Sequence, residues 1–247
     1  MIWANINNDK VEAFPKGRAL CDNCGKQVIA KCGEIKIWHW AHFNNPDCDI
    51  WHEPETDWHY HWKMTFGKEN SEIVVRKEGK MHRADILTKE KVVIELQNSP
   101  ISGPEINQRE QFYGERMIWL VNGIGFKGKF KIDIARNRFP DINYGYELIW
   151  DEVKGEGKRI KIENPEPQPQ RGKYDFIWNY NKQSWASVKR PVFIDFGGKE
   201  LFWVKNGMGS GSGDGDFILK KVFIEKYNGD YNYFIQNHRF FQDDQIL

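Results

Sequence analysis

The chain has 247 residues, of which 40% are hydrophobic and 29% are charged, and its formal net charge is +1. This composition is sufficient for a folded core, and the near-neutral charge excludes a uniformly basic coat for nucleic acid while leaving a local basic groove open. No apolar run approaches the roughly 20 residues that cross a bilayer, and the amino terminus lacks the basic start and long apolar stretch of a signal peptide. A cytoplasmic protein without membrane contact is therefore predicted.

The order of the predicted elements indicates a mixed α/β core. Residues 1–20 are predicted to form a short strand or hairpin, and residues 21–50 hold a group of cysteines and histidines. Beyond them, strands are predicted over residues 71–76, 83–88, 91–96 and 117–121, and helices over residues 55–66 and 105–116. Pro54 supports the first of these helices, because proline favours a helix start.

The carboxy-terminal half is predicted to contain a basic span, a linker and a β-rich module. The basic span consists of Lys127, Lys129, Lys131, Arg136 and Arg138, and it indicates either a solvated surface or a groove that follows phosphates. Residues 164–172 are rich in proline, which removes backbone donors, so this segment is predicted to be a linker. The predicted organisation is an amino-terminal segment 1–52, a core 53–163 and a module of short aromatic strands over 173–247.

A glycine-rich stretch from Gly207 to Gly215 superficially resembles a phosphate-binding loop. Such loops lie between a strand and a helix, with backbone N–H groups directed at the phosphate. The residues that follow, Asp216–Ile224, are instead predicted to form another strand. A flexible hairpin loop is therefore the favoured interpretation.

Two cysteines near the amino terminus have the spacing of a zinc half-site. Cys21 and Cys24 are separated by two residues, and His39 and His42 are predicted to supply two nitrogens that close a tetrahedron. The full pattern is C-x2-C-x14-H-x2-H, which is typical of a closed structural site. Because such a site has no open coordination position, its predicted role is folding or contact with substrate.

Two further cysteines, Cys32 and Cys48, are rival ligands for this zinc, so the fourth position is less defined than the first two. The alternative without metal is a pair of unligated thiols with packing histidines. Clustered cysteines in a chain without an export signal favour metal ligation over disulfides.

The first predicted helix carries residues suited to chemistry on one face. Glu55, His59 and Lys63 follow one another at four-residue steps and therefore share that face. A second stripe, predicted to face the core, consists of Trp58, Trp62 and Phe66. His59 is predicted to bind or orient a metal and Lys63 to hold a phosphate. The alternative is a surface ladder of ion pairs with no chemical task.

Two carboxylates lie on neighbouring predicted strands. Asp85 is in the first strand, and Glu95 and Gln97 share one face of the next because side chains alternate along a strand. Pairing of the strands brings Asp85 beside Glu95, which makes a hard-oxygen site suited to Mg²⁺ or Mn²⁺. Such a site activates water and stabilises a phosphoryl transition state. The alternative is a hairpin with charged ends.

Taken together, these motifs resemble those of the CoiA-like competence proteins. The motifs are Cys-x2-Cys, WHWAHF, WH-x2-WK, R-x-D and E-x-Q-N-S, and they fall within about residues 15–122. The resemblance implies a zinc-ribbon-like segment joined to a nuclease core of the PD-(D/E)xK, restriction-endonuclease-like class. Beyond the linker it extends only to a loosely similar aromatic tail.

The resemblance also implies roles for individual residues. Asp85 and Glu95 are expected to bind the catalytic Mg²⁺ or Mn²⁺, with the carbonyl of Leu96 as a third ligand. Gln97 stands where the broader nuclease class has lysine, and glutamine orients a water or phosphate without supplying positive charge. Two residues one turn apart on the second helix are expected to hold Gln97 or a phosphate, or to form a structural contact between helix and sheet: Arg109 and Tyr113.

The expected function is therefore that of a metal-dependent DNA nuclease or DNA-processing protein in DNA uptake, recombination or phage defence. Its expected partners are nucleic acid, with DNA favoured, and a recombination or defence protein. One alternative is a nucleic-acid-binding module without catalytic activity, for which Gln97 in place of lysine is the best support. Another is a scaffold that recruits a recombinase through the tryptophan-rich tail.

Overall fold

The computed structural model describes residues 1–43, 48–51, 53–134, 144–151, 156–163, 172–179 and 183–237. An antiparallel sheet forms the amino-terminal part, in the order β2-β1-β3-β4-β5. Its strands are β1 (Trp3–Ile6), β2 (Asp9–Glu12), β3 (Arg18–Leu20), β4 (Gln27–Lys31) and β5 (His39–His42). A small core that includes Ala4, Val28 and Trp40 lies against this sheet and also contains the buried Cys21.

The remaining strands build a large mixed sheet and one separate hairpin. They are β6 (Ser71–Lys77), β7 (Lys80–Leu87), β8 (Val93–Gln97), β9 (Met117–Asn122), β10 (Phe130–Ile134), β11 (Tyr144–Asp151), β12 (Glu156–Glu163), β13 (Tyr174–Trp178), β14 (Val192–Asp195), β15 (Glu200–Asn206) and β16 (Ser212–Leu219). The large sheet has the order β10-β13-β16-β15-β14-β9-β8-β7-β6, and β11 pairs with β12 alone. The neighbours β8, β9 and β14 run parallel, and the other pairs are antiparallel.

Within the described residues, four α-helices pack on the large sheet: α1 (Asp57–Phe66), α2 (Gly103–Tyr113), α3 (Lys220–Lys226) and α4 (Tyr231–Asn237). The two longer ones begin at hydroxyl caps, because Thr56 accepts from the backbone N–H of His59 and Ser102 from that of Glu105. One apolar cluster joins α1, α3 and α4 to one face of the sheet, and another lies with α2 on the opposite face. No helix in the described ranges combines the length and apolar character that crossing a bilayer requires.

The predicted mixed α/β architecture is confirmed, with a large mixed sheet and helices on it. The predicted stripe of Trp58, Trp62 and Phe66 on α1 does face the core. The prediction of one strand over Asp216–Ile224 is wrong in its second half, because the chain leaves β16 at Leu219 and continues as α3. That turn lets Phe223 and Ile224 pack into the cluster beneath α1.

The predicted separation of residues 173–247 from the core also requires correction. The strands β13 to β16 continue the large sheet, and β14 pairs in parallel with β9, with Val192 opposite Trp119. The apolar faces of these short aromatic strands are covered by the same two clusters as the rest of the sheet. Most of the predicted linker (164–171) and the predicted basic residues Arg136 and Arg138 lie outside the described residues.

A buried ion pair ties the carboxy-terminal strands to α1. The carboxylate of Asp195 lies 2.6 Å from Nζ of Lys220, and both side chains are fully buried. The indole N–H groups of Trp58 and Trp62 donate to the other oxygen of Asp195 at 3.1 Å. Asp195 therefore holds the side of α1 that carries Trp58 and Trp62, and this contact positions the neighbouring face that carries His59 and Lys63.

We expect Asp195→Asn to lower the free energy of unfolding by about 3–5 kcal/mol, because it leaves the buried Lys220 ammonium without its opposite charge. Urea unfolding followed by tryptophan fluorescence measures the change. The matched control is Glu225→Gln, whose partner Lys221 is 57% exposed, and it is expected to stay within about 0.5 kcal/mol of the parent. Equal stability of the two variants would contradict the anchoring role.

Candidate functional site

The carboxyl groups of Asp85 and Glu95 lie side by side at the junction of β7 and β8. The register pairs Ile86 with Ile94 and Leu87 with Val93, so its continuation places Asp85 opposite Glu95. The backbone N–H of Asp85 donates to Oε1 of Glu95 at 3.4 Å, and that of Leu96 donates to Oδ2 of Asp85 at 3.0 Å. The two carboxylates and the backbone of Leu96 are therefore adjacent in space.

This pair of carboxylates faces a small polar cavity of about 30 Å³, which is enough for an ion or a water but not for a nucleotide. Six carboxylates line it: Asp49, Glu53, Glu55, Glu72, Asp85 and Glu95. Three permanent cations line it as well: Lys63, Arg83 and Arg109. The Asp85 side chain is 21% exposed, so the cavity reaches solvent there. With every group ionised, the carboxylates exceed the cations by three, an excess that favours an additional cation.

Lys63 is buried and committed to carboxylates. Its Nζ lies 3.0 Å from Glu55, 3.1 Å from Glu72 and 3.1 Å from Asp85. Burial alone lowers the pKa of Lys63, but these three carboxylates raise it well above its usual value, so the side chain stays charged. The three ammonium protons match the three acceptors. These contacts indicate that Lys63 neutralises carboxylates inside the cavity, and its contact with a phosphate stays a prediction.

Arg109 belongs to the same cavity from the side of α2. Its Nη1 donates to Glu95 at 2.9 Å, and its Nη2 donates to Glu105 at 2.6 Å and to the carbonyl of Trp51 at 2.8 Å. Burial and the charge of Asp85 raise the pKa of Glu95 to about 8 against the opposing effect of Arg109. The contact with Glu95 joins α2 to β8, which agrees with the expected structural contact between helix and sheet.

Tyr113 lies one turn further along α2, and its hydroxyl is buried without a hydrogen-bond partner among the described residues. Burial and, secondarily, the charge of Glu95 raise the pKa of Tyr113 well above its usual value, so the phenol stays protonated. Its ring packs against Trp51 and Phe112. These ring contacts agree with the structural alternative that the sequence left open for this residue.

Gln97 is held by a residue that the sequence did not point to. Its amide donates to Glu53 and, at 2.9 Å, to the carbonyl of Ser99, while its Oε1 is buried without a partner among the described residues. Nε2 of His59 lies 3.3 Å from the carbonyl of Leu96 and 3.5 Å from Glu53. His59 and the backbone of Leu96 therefore line the cavity of the carboxylate pair, and Gln97 is linked to that cavity through Glu53.

Three of the carboxylates in this cavity were missed by the sequence reasoning: Asp49, Glu53 and Glu72. Burial raises the pKa of Glu53, but hydrogen bonds from His59 and Ser99 outweigh it and bring the pKa down to about 2. Glu72 accepts from the backbone N–H groups of Ile2 and Trp3 at 2.9–3.0 Å and has a φ of 51°. Neither lies in a periodic pattern, since Glu53 precedes α1 and Glu72 occupies an irregular backbone position, so no sequence signal marked them.

The amino-terminal sheet contains a compact group of possible metal ligands. The ligand atoms of Cys21, Cys24, His42 and Cys48 all lie within 4.8 Å of one another. Sγ of Cys21 is 3.6 Å from Sγ of Cys48, and Sγ of Cys24 is 3.3 Å from Nε2 of His42. A zinc tetrahedron with Zn–S bonds of about 2.3 Å has edges of about 3.8 Å between sulfurs. The group therefore fits a structural zinc ion with three thiolates and one imidazole.

The prediction of His39 as a zinc ligand requires correction, and Cys48, one of the two rivals, takes its place. His39 and His42 both lie in β5, and residues three apart on a strand point to opposite faces. Nδ1 of His39 instead lies 2.8 Å from the carbonyl of Ile37. His-x2-His supplies two ligands only where the backbone is not extended, and here it is extended.

Two donors near the cysteines suit thiolate ligands. The amide of Asn23 donates to Sγ of Cys48 and the guanidinium of Arg83 to Sγ of Cys21, both at 3.2 Å. Such outer contacts orient ligands and balance their charge. Arg83 also lines the acidic cavity, and its backbone N–H donates to Asp49 at 2.6 Å. Arg83 therefore lies between the cysteine group and the carboxylate cavity and contacts both.

Comparison with known proteins identifies the amino-terminal part. Its strands and the four possible metal ligands are those of a small β domain with a zinc-type site. Residues 4–51 match the family model described as the N-terminal domain of competence protein CoiA. The predicted likeness to the CoiA-like family is thereby confirmed, on a match that ends before α1 and includes, of the residues that line the carboxylate cavity, Asp49 and Trp51. No curated protein and no solved structure matches the chain.

Proposed function

We propose that the chain is a metal-dependent DNA nuclease or DNA-processing protein, with a core of the PD-(D/E)xK class and a role in DNA uptake, recombination or defence. The observation that carries the proposal is the pairing of Asp85 and Glu95 beside the backbone of Leu96 in an acidic, ion-sized cavity. The match of the amino-terminal domain to competence protein CoiA supports a task in the handling of incoming DNA.

The donor set of this cavity fits Mg²⁺ or Mn²⁺. Asp85, Glu95 and the carbonyl of Leu96 would hold the ion, since these are the hard oxygen ligands that such cations prefer. The cavity carries an excess of negative charge, which a divalent cation reduces. When bound, the ion would supply activation of water and stabilisation of charge on the phosphodiester.

The side chains around the pair have separate tasks in this proposal. His59, buried and within 3.3 Å of the Leu96 carbonyl, orients that carbonyl and takes part in positioning the attacking water. Gln97 offers its unpartnered Oε1 as an acceptor for the same water. Lys63 and Arg109 balance the carboxylates and hold Asp85 and Glu95 in place. In the amino-terminal domain, Cys21, Cys24, His42 and Cys48 would hold a zinc ion that stabilises the fold.

The direct test is incubation of the intact protein with labelled single-stranded and double-stranded DNA in Mn²⁺, in Mg²⁺ and without either ion. We expect cleavage products that depend on the added cation, because the carboxylate pair requires it for activation of water. Denaturing electrophoresis measures the products. DNA that is retained by the protein yet remains intact under every condition would contradict hydrolysis.

One observation favours the alternative of a nucleic-acid-binding protein without catalytic activity. Each carboxylate of the pair already contacts an internal cation, Asp85 with Lys63 at 3.1 Å and Glu95 with Arg109 at 2.9 Å. Such pairing is sufficient to stabilise the buried charges without a metal. The same cleavage assay separates the two functions, since this alternative expects bound and uncut DNA.

A further inference from the structure

A second, larger cavity of about 500 Å³ lies beside β14, away from the carboxylate pair. It is bounded by the turn that precedes β14 and by the loop that joins β15 to β16. Three cations line it, Lys189, Arg190 and Lys205, and its described lining contains no carboxylate. Its charge is thus opposite to that of the acidic cavity, and it is suited to an anion.

The backbone that carries two of these cations is held rigidly. The buried carboxylate of Glu110 accepts from the N–H groups of Lys189 and Arg190 at 3.0–3.1 Å. Glu110 is itself fixed by the indole N–H of Trp119 at 3.0 Å. This turn is therefore preorganised, so little ordering cost remains for a ligand that binds there.

The cations retain capacity for a ligand. Nε of Arg190 is buried without a hydrogen-bond partner among the described residues, and such an orphan donor is costly unless it finds an acceptor. Lys189 is exposed, so its ammonium group is accessible to a ligand. Nζ of Lys205 lies 3.5 Å from the centre of the Trp203 ring. Its ion pair with Asp216 is long, at 3.7 Å. An incoming phosphate provides the acceptors that this group lacks.

The glycine-rich loop forms one wall of the cavity. Gly207, Met208, Gly209 and Ser210 line it. A side chain at Gly209 would come within 2.2 Å of the backbone of Ala186, so glycine is required for the loop to close on the preceding turn. Residues 207–211 of this glycine-rich stretch thus form a hairpin loop, as predicted, whereas residues 212–215 belong to β16. The loop shapes a basic groove without being a phosphate-binding loop between a strand and a helix.

We propose that this groove binds the phosphodiester backbone of a nucleic-acid strand. Its volume accommodates a nucleotide-sized unit, and its lining combines the three cations with apolar residues that include Trp185 and Met208. Val192 in the groove and Glu95 lie two strands apart in register, roughly 10 Å at the usual strand spacing. The choice of a nucleic-acid strand as the anion rests on the proposed function. The inference that the groove binds an anion rests only on its lining and does not depend on that function.

The test measures binding without added Mg²⁺ or Mn²⁺, so that cleavage plays no part in it. Fluorescence anisotropy of a labelled oligothymidylate is followed for the intact protein and for Lys189→Ala, Arg190→Ala and Lys205→Ala. Each groove variant is expected to bind roughly fivefold more weakly at about 0.1 M salt and to reduce the salt slope by about 0.7, the value for one phosphate contact on a single strand. Lys221→Ala removes the same charge from a 57% exposed position and is the matched control.

The outcomes separate the two proposals. Weaker binding by the groove variants but not by Lys221→Ala supports the groove, even if no DNA is cleaved in any metal. Equal binding by all four variants, with unchanged circular dichroism, overturns it. Thymidine monophosphate and inorganic phosphate serve as competitors: a strand site requires that both compete only at concentrations far above that of the oligonucleotide. Competition by the mononucleotide at equal concentration would assign the groove to free nucleotides and overturn the strand proposal.

Discussion

Asp85→Asn is expected to reduce Mn²⁺-dependent DNA cleavage on the order of 10³-fold while the protein remains folded. A metal ligand supplies several kcal/mol of transition-state stabilisation, and each 1.36 kcal/mol corresponds to a factor of ten. Asparagine retains an acceptor for the backbone N–H of Leu96, which donates to Asp85 at 3.0 Å. Lys63 keeps its contacts with Glu55 and Glu72, so no buried cation is left unpaired.

The rate of product formation at saturating DNA, measured with thermal unfolding of the same samples, provides the test. Glu225→Gln is the matched control, because it removes one carboxylate from a position that is 55% exposed. Glu95→Gln is expected to abolish cleavage too, but it also deprives the buried Arg109 of a charged partner at 2.9 Å and so lowers stability. Full activity of a folded Asp85→Asn protein would remove the basis of the proposed hydrolysis.

Cys48→Ser is expected to weaken zinc binding by roughly 10²- to 10³-fold, whereas His39→Ala leaves it unchanged. Structural zinc sites contribute about 10–16 kcal/mol through four ligands, so loss of one ligand removes about a quarter of that. Cys48 lies with Cys21, Cys24 and His42, and His39 points to the other face of β5. The two substitutions therefore distinguish the observed ligand set from the one that the sequence motif indicated.

Competition with a chromophoric chelator measures the zinc affinity, and Co²⁺ substitution measures the ligands directly. The thiolate-to-cobalt charge-transfer absorption is expected to fall in Cys48→Ser, because one of three thiolates is lost, and to remain in His39→Ala. Cys32→Ser is a further control, since Cys32 lies outside the group of four ligands. If Cys48→Ser kept its zinc affinity and His39→Ala lost it, the ligand set predicted from the sequence motif, with His39 in place of Cys48, would be correct.

The sequence alone was a good guide to local structure. The apolar runs and turn residues predicted strands close to β6, β7, β8 and β9, and the spacing of Trp58, Trp62 and Phe66 predicted the buried stripe of α1. These predictions succeed because alternation along a strand and the helical repeat act between residues a few positions apart. The first half-site, Cys21 and Cys24, is local in the same sense.

What the sequence determined about this protein is therefore the alternation of its elements, the two cysteines of the half-site and the acidic residues of β7 and β8. Only the tertiary structure decided that Cys48 and not His39 completes the ligand group, that Glu53 and Glu72 join the cavity, and that the carboxy-terminal strands extend the large sheet. The physical reason is the same in each case. These contacts join residues far apart along the chain, and they depend on which face of a strand or loop the packed core turns inward, which no short-range pattern encodes.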